Sequence, residues 1–395
     1  MKLSCVISEF NPFHNGHKYL IEKEKENGAT HIAAVMSGSF VQRGECAVWN
    51  KFDRARCALI NGVDLVIELP AVWACSAAPV FARAGISIIK SLGFADSVFF
   101  GSECGDFELI ERCARAILSN EFEHSFLKYK SDKPYAEAVQ NAVGEISGEE
   151  CAAVLSSPNN ILAVEYVKEM IKQESGLHAH TIRRTGVEHD SDKAVSGFAS
   201  ASYIRSKINS PHQFNGLVPD NTLDILNTAH GCGDIADFTL LNNIILYRLR
   251  TISQNELLSL PDVSGGLENR IAKAVLSSAD FDEVLSAVRC KRYAVPRIKR
   301  AFAAAALGVN KEMQSGFPPY IRVLGLGQRG AEILKTMKKN CDIPIITKAA
   351  QYKKLLDKTG AAIFEKDILS SDLRALACKG KIGMGQDFLI SPCVV

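Results

Sequence analysis

Two histidines, His14 and His17, flank Gly16 directly after the first hydrophobic run of the chain. Imidazoles at that spacing at the start of a helix lie on one face and can reach the same anion. Gly16 permits close approach of the backbone to a ligand, and Pro12 stiffens the segment leading in. The opening turn of a helix adds unpaired N–H groups and the positive end of its dipole. This suits gripping the phosphates of a nucleotide and stabilising charge that develops on them, where one preorganised donor is worth ~3 kcal/mol. No acidic residue accompanies the pair at ligand spacing, which argues against a metal. A polar loop tip without ligand is the bland alternative, and the position of the pair after a first strand speaks against it.

The surrounding pattern supplies that strand. Residues 3–8, 32–36, 63–69 and 97–100 are short β-branched or apolar runs, separated by helix-like stretches at 17–26, 52–61 and 82–91. Such alternation predicts βαβ units and a Rossmann-like parallel sheet covered on both faces, with ligands met at the carboxyl ends of the strands. The tips fall at residues 9–17, 37–43, 69–70 and 101–103. Residues 104–176 read as mostly helical, 178–185 as a further strand, and a helix begins near Ser202. The Pro- and Asn-rich stretch 209–221 marks a boundary, giving a nucleotide-binding domain over 1–210 and a mainly helical domain over 211–395. Amphipathic helices are expected at 238–249, 267–277, 281–288 and 296–307, then a small α/β appendage with strands at 321–326 and 343–347.

Composition narrows the class. The 395 residues are 47% hydrophobic and 23% charged, with a net charge of +2, so a nucleic-acid site must come from local clustering. No apolar stretch reaches the length of a membrane span and no secretory leader is evident, so a cytoplasmic protein with no membrane and no DNA partner is expected. Twelve cysteines are present without a Cys-x-x-Cys pair; core thiols in a reducing compartment account for them better than disulfides or zinc.

Other residues invite a role. Gly101 closes a strand where a side chain would block a base or ribose, though an ordinary turn glycine reads equally well. Asn159 and Asn160 follow Pro158 and suit a helix cap. Arg183 and Arg184 alternate on a strand, so one should face the site and the other solvent. Arg43 sits at the second strand tip and suits phosphate or RNA; Arg54 and Arg56 read as surface residues. The segment Ser200-Ala201-Ser202-Tyr203-Ile204-Arg205 suits a helix start, with Ser202 facing phosphates and Arg205 neutralising charge, or simply a capped surface helix. Residues 289–300 form the densest basic cluster, with Tyr293 interleaved, a pattern for phosphate contact and base stacking. Gly325, Gly327 and Gly330 match G-x-G-x-x-G but lack the acidic residue of a dinucleotide site, and a tight turn is preferred. His178 and His180 suit structural roles.

The segment Phe10-Asn11-Pro12-Phe13-His14-Asn15-Gly16-His17 resembles the signature of the HIGH-type nucleotidyltransferases. Residues 37–45, 61–70, 100–103 and 157–162 narrow the likeness, which is similar to the bacterial tRNA(Met) cytidine acetate ligase family over most of residues 1–205 and again at 291–293. Cys46 stands where that family usually has proline. The resemblance implies a ligase that activates acetate with ATP as acetyl-adenylate and passes the acetyl group to N4 of the wobble cytidine of elongator tRNA(Met), giving N4-acetylcytidine. It implies ATP contacts from Val6, Ile7, Ser8, Glu9, Phe10, Asn11, Pro12, Phe13, His14, Asn15, Gly16, His17, Lys18 and Tyr19, and from Gly101, Asn160, Arg183, Arg184 and Ser202. His14, His17 and Arg205 would carry the chemistry, with Mg2+ on the leaving group. Two rivals stand beside it: a small-molecule adenylyltransferase of the same superfamily, and a nucleotide-sensing RNA-binding protein without catalysis.

Overall fold

The computed structural model describes residues 1–131, 133–184, 197–208 and 211–395. Its main sheet is built from β1 (Leu3–Ser8), β2 (His31–Ser37), β5 (Leu65–Leu69), β6 (Ser97–Ser102), β7 (His178–Arg183), β8 (Ile321–Leu326), β9 (Ile345–Ile346) and β10 (Cys393–Val394). β3 (Phe40–Val41) and β4 (Glu45–Cys46) form a separate antiparallel hairpin. The strand order is β10-β8-β5-β2-β1-β6-β7, with β9 also on β8. β1, β2, β5, β6 and β7 run parallel. Every residue of β2 and β5 is buried, as expected where helices cover both faces.

The chain winds β1, β2, β5 in one direction and returns to lay β6 and β7 on the other side of β1. The order therefore reverses between β1 and β6, and a crevice opens at their carboxyl ends. Helix α1 (Asn15–Glu26) leaves β1 through residues 9–14, while α2 (Lys51–Ile60) carries the chain from the hairpin to β5. Pro158–Lys172 is a long helix whose start faces the end of β6.

The α/β piece expected late in the chain delivers β8 to this same sheet, antiparallel to β5 with a register irregularity at Val66/Ile67. The turn after β8 is tight. A Cβ on Gly330 would stand 2.1 Å from the Asp64 carbonyl oxygen, so only glycine fits there. Ion pairs cross the seam: Lys51 Nζ lies 2.8 Å from Glu68 and 2.6 Å from Asp387, and Arg322 lies 3.1 Å from Glu68 and 2.5 Å from Asp387, all buried. Such a cluster holds only as a set, since removing one partner strands a buried charge at about 3–5 kcal/mol. Helices at Asn242–Thr251, Leu267–Ser277, Phe281–Val288 and Val295–Leu307 pack around Leu246, Ile271, Val284 and Phe302, continuous with the core of the sheet.

Candidate active site

The first-turn residues of α1 explain the histidine pair. His14 is the cap, in extended conformation, and its Nδ1 accepts the Gly16 amide at 3.1 Å; His17 Nδ1 accepts the His14 amide at 3.2 Å. The side chains thus form a reciprocal capping box made of imidazoles. Their rings stack with centroids 3.8 Å apart, and Phe10 and Phe13 hold His17 from the other side at 4.9 and 5.5 Å. Phe10 reaches this place with φ 44, a conformation bulky residues rarely adopt.

Burial, then the nearby Arg184 and Arg205 charges, lower His14 to about 3; burial, then His14 and Arg184, hold His17 well below the ordinary histidine range. Both rings are therefore neutral near pH 7. Because each Nδ1 accepts a backbone N–H, the assigned tautomer carries its proton on Nε2. The pair presents two neutral N–H donors.

The helix amides expected to meet the anion are already engaged. Asn15 N donates to Leu217 O at 3.1 Å, Gly16 N to His14 Nδ1, and His17 N to His14 O at 2.9 Å. The dipole remains, but contact passes to the imidazole Nε2–H groups.

A cleft at the β1–β6 reversal is lined by Val6, Ile7, Ser8, Glu9, Phe10, Asn11, His14 and His17, with Gln42 and Arg43 from the hairpin, Gly101 from β6, Arg184 just beyond β7, Asn159 from the long helix, and Ser200, Ser202 and Arg205. Gly16, Tyr19 and Arg183 line an adjoining hollow that His14, His17, Gly101 and Arg184 share. Both arginines thus reach cavities, where strand alternation had divided them between site and solvent. A Cβ on Gly101 would stand 3.2 Å from Arg184 Cγ, crowding that side chain.

Other expected residues stand behind or outside the cleft. Phe13 is wholly buried in core. Asn15 anchors the loop by donating to Gly197 O and Gly216 O at 2.9 and 2.8 Å. Lys18 pairs loosely with Glu22 at 3.9 Å. Pro12 forms a cis peptide with Asn11. Asn160 is buried and accepts the Glu103 and Cys104 amides at 2.8 and 3.1 Å, while Asn159 is the neighbour that meets the cleft.

Ser200 caps the helix Ala201–Ser206, its Oγ accepting Tyr203 N at 3.0 Å, and Arg205 Nη1 donates to Asn11 O at 2.9 Å. Arg205 therefore ties the second motif to the first. Arg54 does not lie at the surface, where its helix position placed it. It is 1% exposed and donates to four carbonyls: Trp49 O (3.0 Å), Glu9 O (2.6 Å), Ser37 O (3.0 Å) and Gly38 O. It clamps the tips of β1 and β2 together. Arg56 is exposed, as expected.

The basic cluster also differs from expectation. Tyr293 is buried and donates to Gly265 O at 2.5 Å, so it cannot stack on a base as it stands. Arg297 donates to Asp262 O and Ser264, Arg300 pairs with Asp262 at 2.6 Å, and Lys299 pairs with Glu45. Arg289, Lys291 and Arg292 stay exposed. The helix Val295–Leu307 instead braces the hairpin: a Cβ on Gly44 would stand 2.4 Å from Arg300 N. His180 meets buried Glu24 at 2.8 Å, a structural contact. Cys46 lies on β4, buried. All twelve cysteines are free thiols.

Among the described residues no three His, Cys, Asp or Glu side chains converge as a metal cage. The cleft's charged donors are arginines with Glu9 as carboxylate, a set that does not by itself fit Mg2+. Among the described residues no helix is long and apolar enough to cross a membrane.

A nucleotide cleft at a Rossmann-like switch point, with paired histidines at the first crossover, defines a class. A family model described as HIGH Nucleotidyl Transferase matches residues 1–386. Within that class the chain belongs to the tRNA(Met) cytidine acetate ligase family. It is 38% identical to the tRNA(Met) cytidine acetate ligase of Thermoanaerobacter sp. over 98% of both chains, and 35% identical to that of Clostridium kluyveri over 100% of this chain and 99% of the relative. The crystal structure of Thermotoga maritima TmcAL bound with alpha-thio ATP superposes with a TM-score of 0.92 at 30% identity, and the apo form with 0.93 at 31%, each covering 100% of both chains.

Proposed function

We propose that the protein is an ATP-dependent ligase that acetylates N4 of the wobble cytidine of elongator tRNA(Met). In the first step the acetate carboxylate attacks the α-phosphorus of ATP in line. A new O–P bond forms as the bond to the bridging oxygen breaks, and pyrophosphate leaves with the electron pair. His14 and His17 donate Nε2–H to the phosphate oxygens on which charge builds. Neutral donors suit this, because they follow developing charge without clamping the ground state as a full cation would. Arg205 and Arg184 balance the polyphosphate, and Ser202 lies on the same wall. Positioning carries the rest.

In the second step the cytidine amine attacks the acetyl carbonyl carbon. The bond to the adenylate oxygen breaks, AMP departs, and the amine sheds its proton to water. Any Mg2+ would have to arrive on the ATP phosphates themselves, where it would supply positive charge to the pyrophosphate beside Arg205 and Arg184. A tRNA substrate implies a cytoplasmic enzyme. Within this reading residues 1–210 supply the nucleotide site and residues 211–395 meet the tRNA.

The observation that carries the reading is the locked, neutral histidine pair at the β1–β6 reversal. The relatives' names and the analogue-bound neighbour support it. Acetate-dependent exchange of pyrophosphate into ATP, without tRNA, tests it. Wild type should exchange, and His14→Ala or His17→Ala should lose about 10²–10³ in rate, in line with removing a transition-state donor. Exchange that ignores acetate, or is unchanged in both variants, overturns the reading.

A further inference from the structure

A second cavity, of about 620 Å³, lies on the other side of the wall formed by Glu9 and Asn11. Glu9, Asn11, Arg43 and Arg205 line both it and the nucleotide cleft. The wall is firmly built: Asn11 Oδ1 accepts the Val48 amide at 3.0 Å, Arg205 donates to Asn11 O at 2.9 Å, and Glu9 Oε1 accepts the Gln42 amide at 3.0 Å. The far side comes from distant parts of the chain. His230, Ile235 and Phe238 belong to the helical half, and Lys379 follows the helix Lys358–Leu376. An isolated bridge between Ala236 and Cys378, and a Gly380 N to Gly233 O bond of 3.0 Å, fix that side.

Resting on the function proposed above, we propose that this cavity receives the acceptor pyrimidine nucleoside of the RNA, turned out of its strand. Three observations meet here. The chemistry demands that the acyl carbon, bonded to the α-phosphate oxygen, be reached from outside the nucleotide cleft, and the four shared residues mark where the two spaces join. The lining combines an aromatic, Phe238, with apolar Ile235 and Val48 for the faces of a base, and with Lys379, His230 and Arg43 for flanking phosphates, while the Glu45 carboxylate on the same lining is paired with Lys299. At the junction stands the Glu9 carboxylate. A carboxylate has several acceptor positions and no donor, so it accepts from the exocyclic amine of cytosine and repels the O4 carbonyl of uracil. Extruded bases are commonly read in this way, on the Watson–Crick edge between apolar walls.

The test compares two readouts on the intact protein: acetate-dependent pyrophosphate exchange without RNA, and acetyl transfer to a tRNA(Met) transcript. Ile235→Trp fills the cavity. Lys379→Glu, at an exposed position, reverses charge on its rim without touching the core. Each variant should keep exchange within about twofold and lose about tenfold or more in kcat/KM for tRNA, the scale of one lost base contact. Acetylation within about twofold of wild type in both variants overturns the proposal. So does a parallel fall in exchange and acetylation in Lys379→Glu, which would make the space a passage for acetate or pyrophosphate. Wild-type exchange is the separate control: its absence would sink the ligase reading itself.

Discussion

Asn160 and Glu103 grip each other through side chain and main chain in both directions. Asn160 Oδ1 accepts the Glu103 amide at 2.8 Å, and Glu103 Oε2 accepts the Asn160 amide at 2.9 Å. Glu103 Oε1 also accepts Asn159 Nδ2 at 2.6 Å. The loop after β6 and the start of the Pro158–Lys172 helix are therefore one rigid corner, with Asn159 and Gly101 on its cleft side. Asn160→Ala removes an acceptor from two amides. It should cost about 1–3 kcal/mol in a urea titration and raise KM for ATP more than it lowers kcat. An unchanged KM with wild-type stability would show that the corner does not position the nucleotide.

The histidine pair gives a pH signature with a definite sign. An unfolded histidine takes a proton near pH 6.5, whereas folded His14 does so only near about 3. Between those values the unfolded state binds more protons, so stability falls as pH drops below about 6.5. In His14→Asn this slope should be shallower than in wild type, measured by denaturant midpoints across the range. Equal slopes would mean that folded His14 takes up its proton as readily as the unfolded chain does.

Asp367 behaves in the opposite sense. It accepts the Ala71 amide at 2.7 Å and the Tyr320 hydroxyl at 2.5 Å, wholly buried. Burial, then the Glu68 carboxylate, push it up to about 7. The folded protein thus holds a proton that the unfolded chain releases near 4, and this contribution is lost as pH rises through about 7. Asp367→Asn keeps an acceptor for Ala71 and a partner for Tyr320. It should flatten the fall in melting temperature between about pH 4 and 7; an unchanged or steeper fall would contradict the assignment.

The basic cluster divides into two functions that one experiment separates. Arg292 is exposed, whereas Lys299 pairs with Glu45 on the hairpin that holds Arg43 at the cleft. Arg292→Glu should weaken tRNA binding and reduce its salt slope by about 1–2, sparing exchange. Lys299→Glu sets two carboxylates together and should impair exchange as well. Identical effects on both readouts would merge the two functions.

What could be read from the chain was what is local. His14, Gly16 and His17 fall within four positions, and strand–helix alternation fixes which end of the sheet they occupy. Arg54 could not be read in this way. It lies on a helix with charged neighbours, and its carbonyl acceptors at Glu9, Ser37 and Gly38 converge only when two strand tips meet. Tyr293 in a run of cations looked available for the same reason: its acceptor, Gly265 O, is 28 positions away. The second cavity draws its walls from residues between Glu9 and Lys379, and no pattern along the chain announces it.

β8 and β10 have a consequence for how the protein comes into being. The strand Leu65–Leu69 pairs with His31–Ser37 on one side but finds its second neighbour only when residues 321–326 emerge, and that strand is in turn flanked by residues 393–394. During synthesis the sheet beneath the cleft must wait with a raw, sticky margin. A nascent chain therefore offers the far edge of Leu65–Leu69 to wrong partners until residues 321–326 are available to cover it.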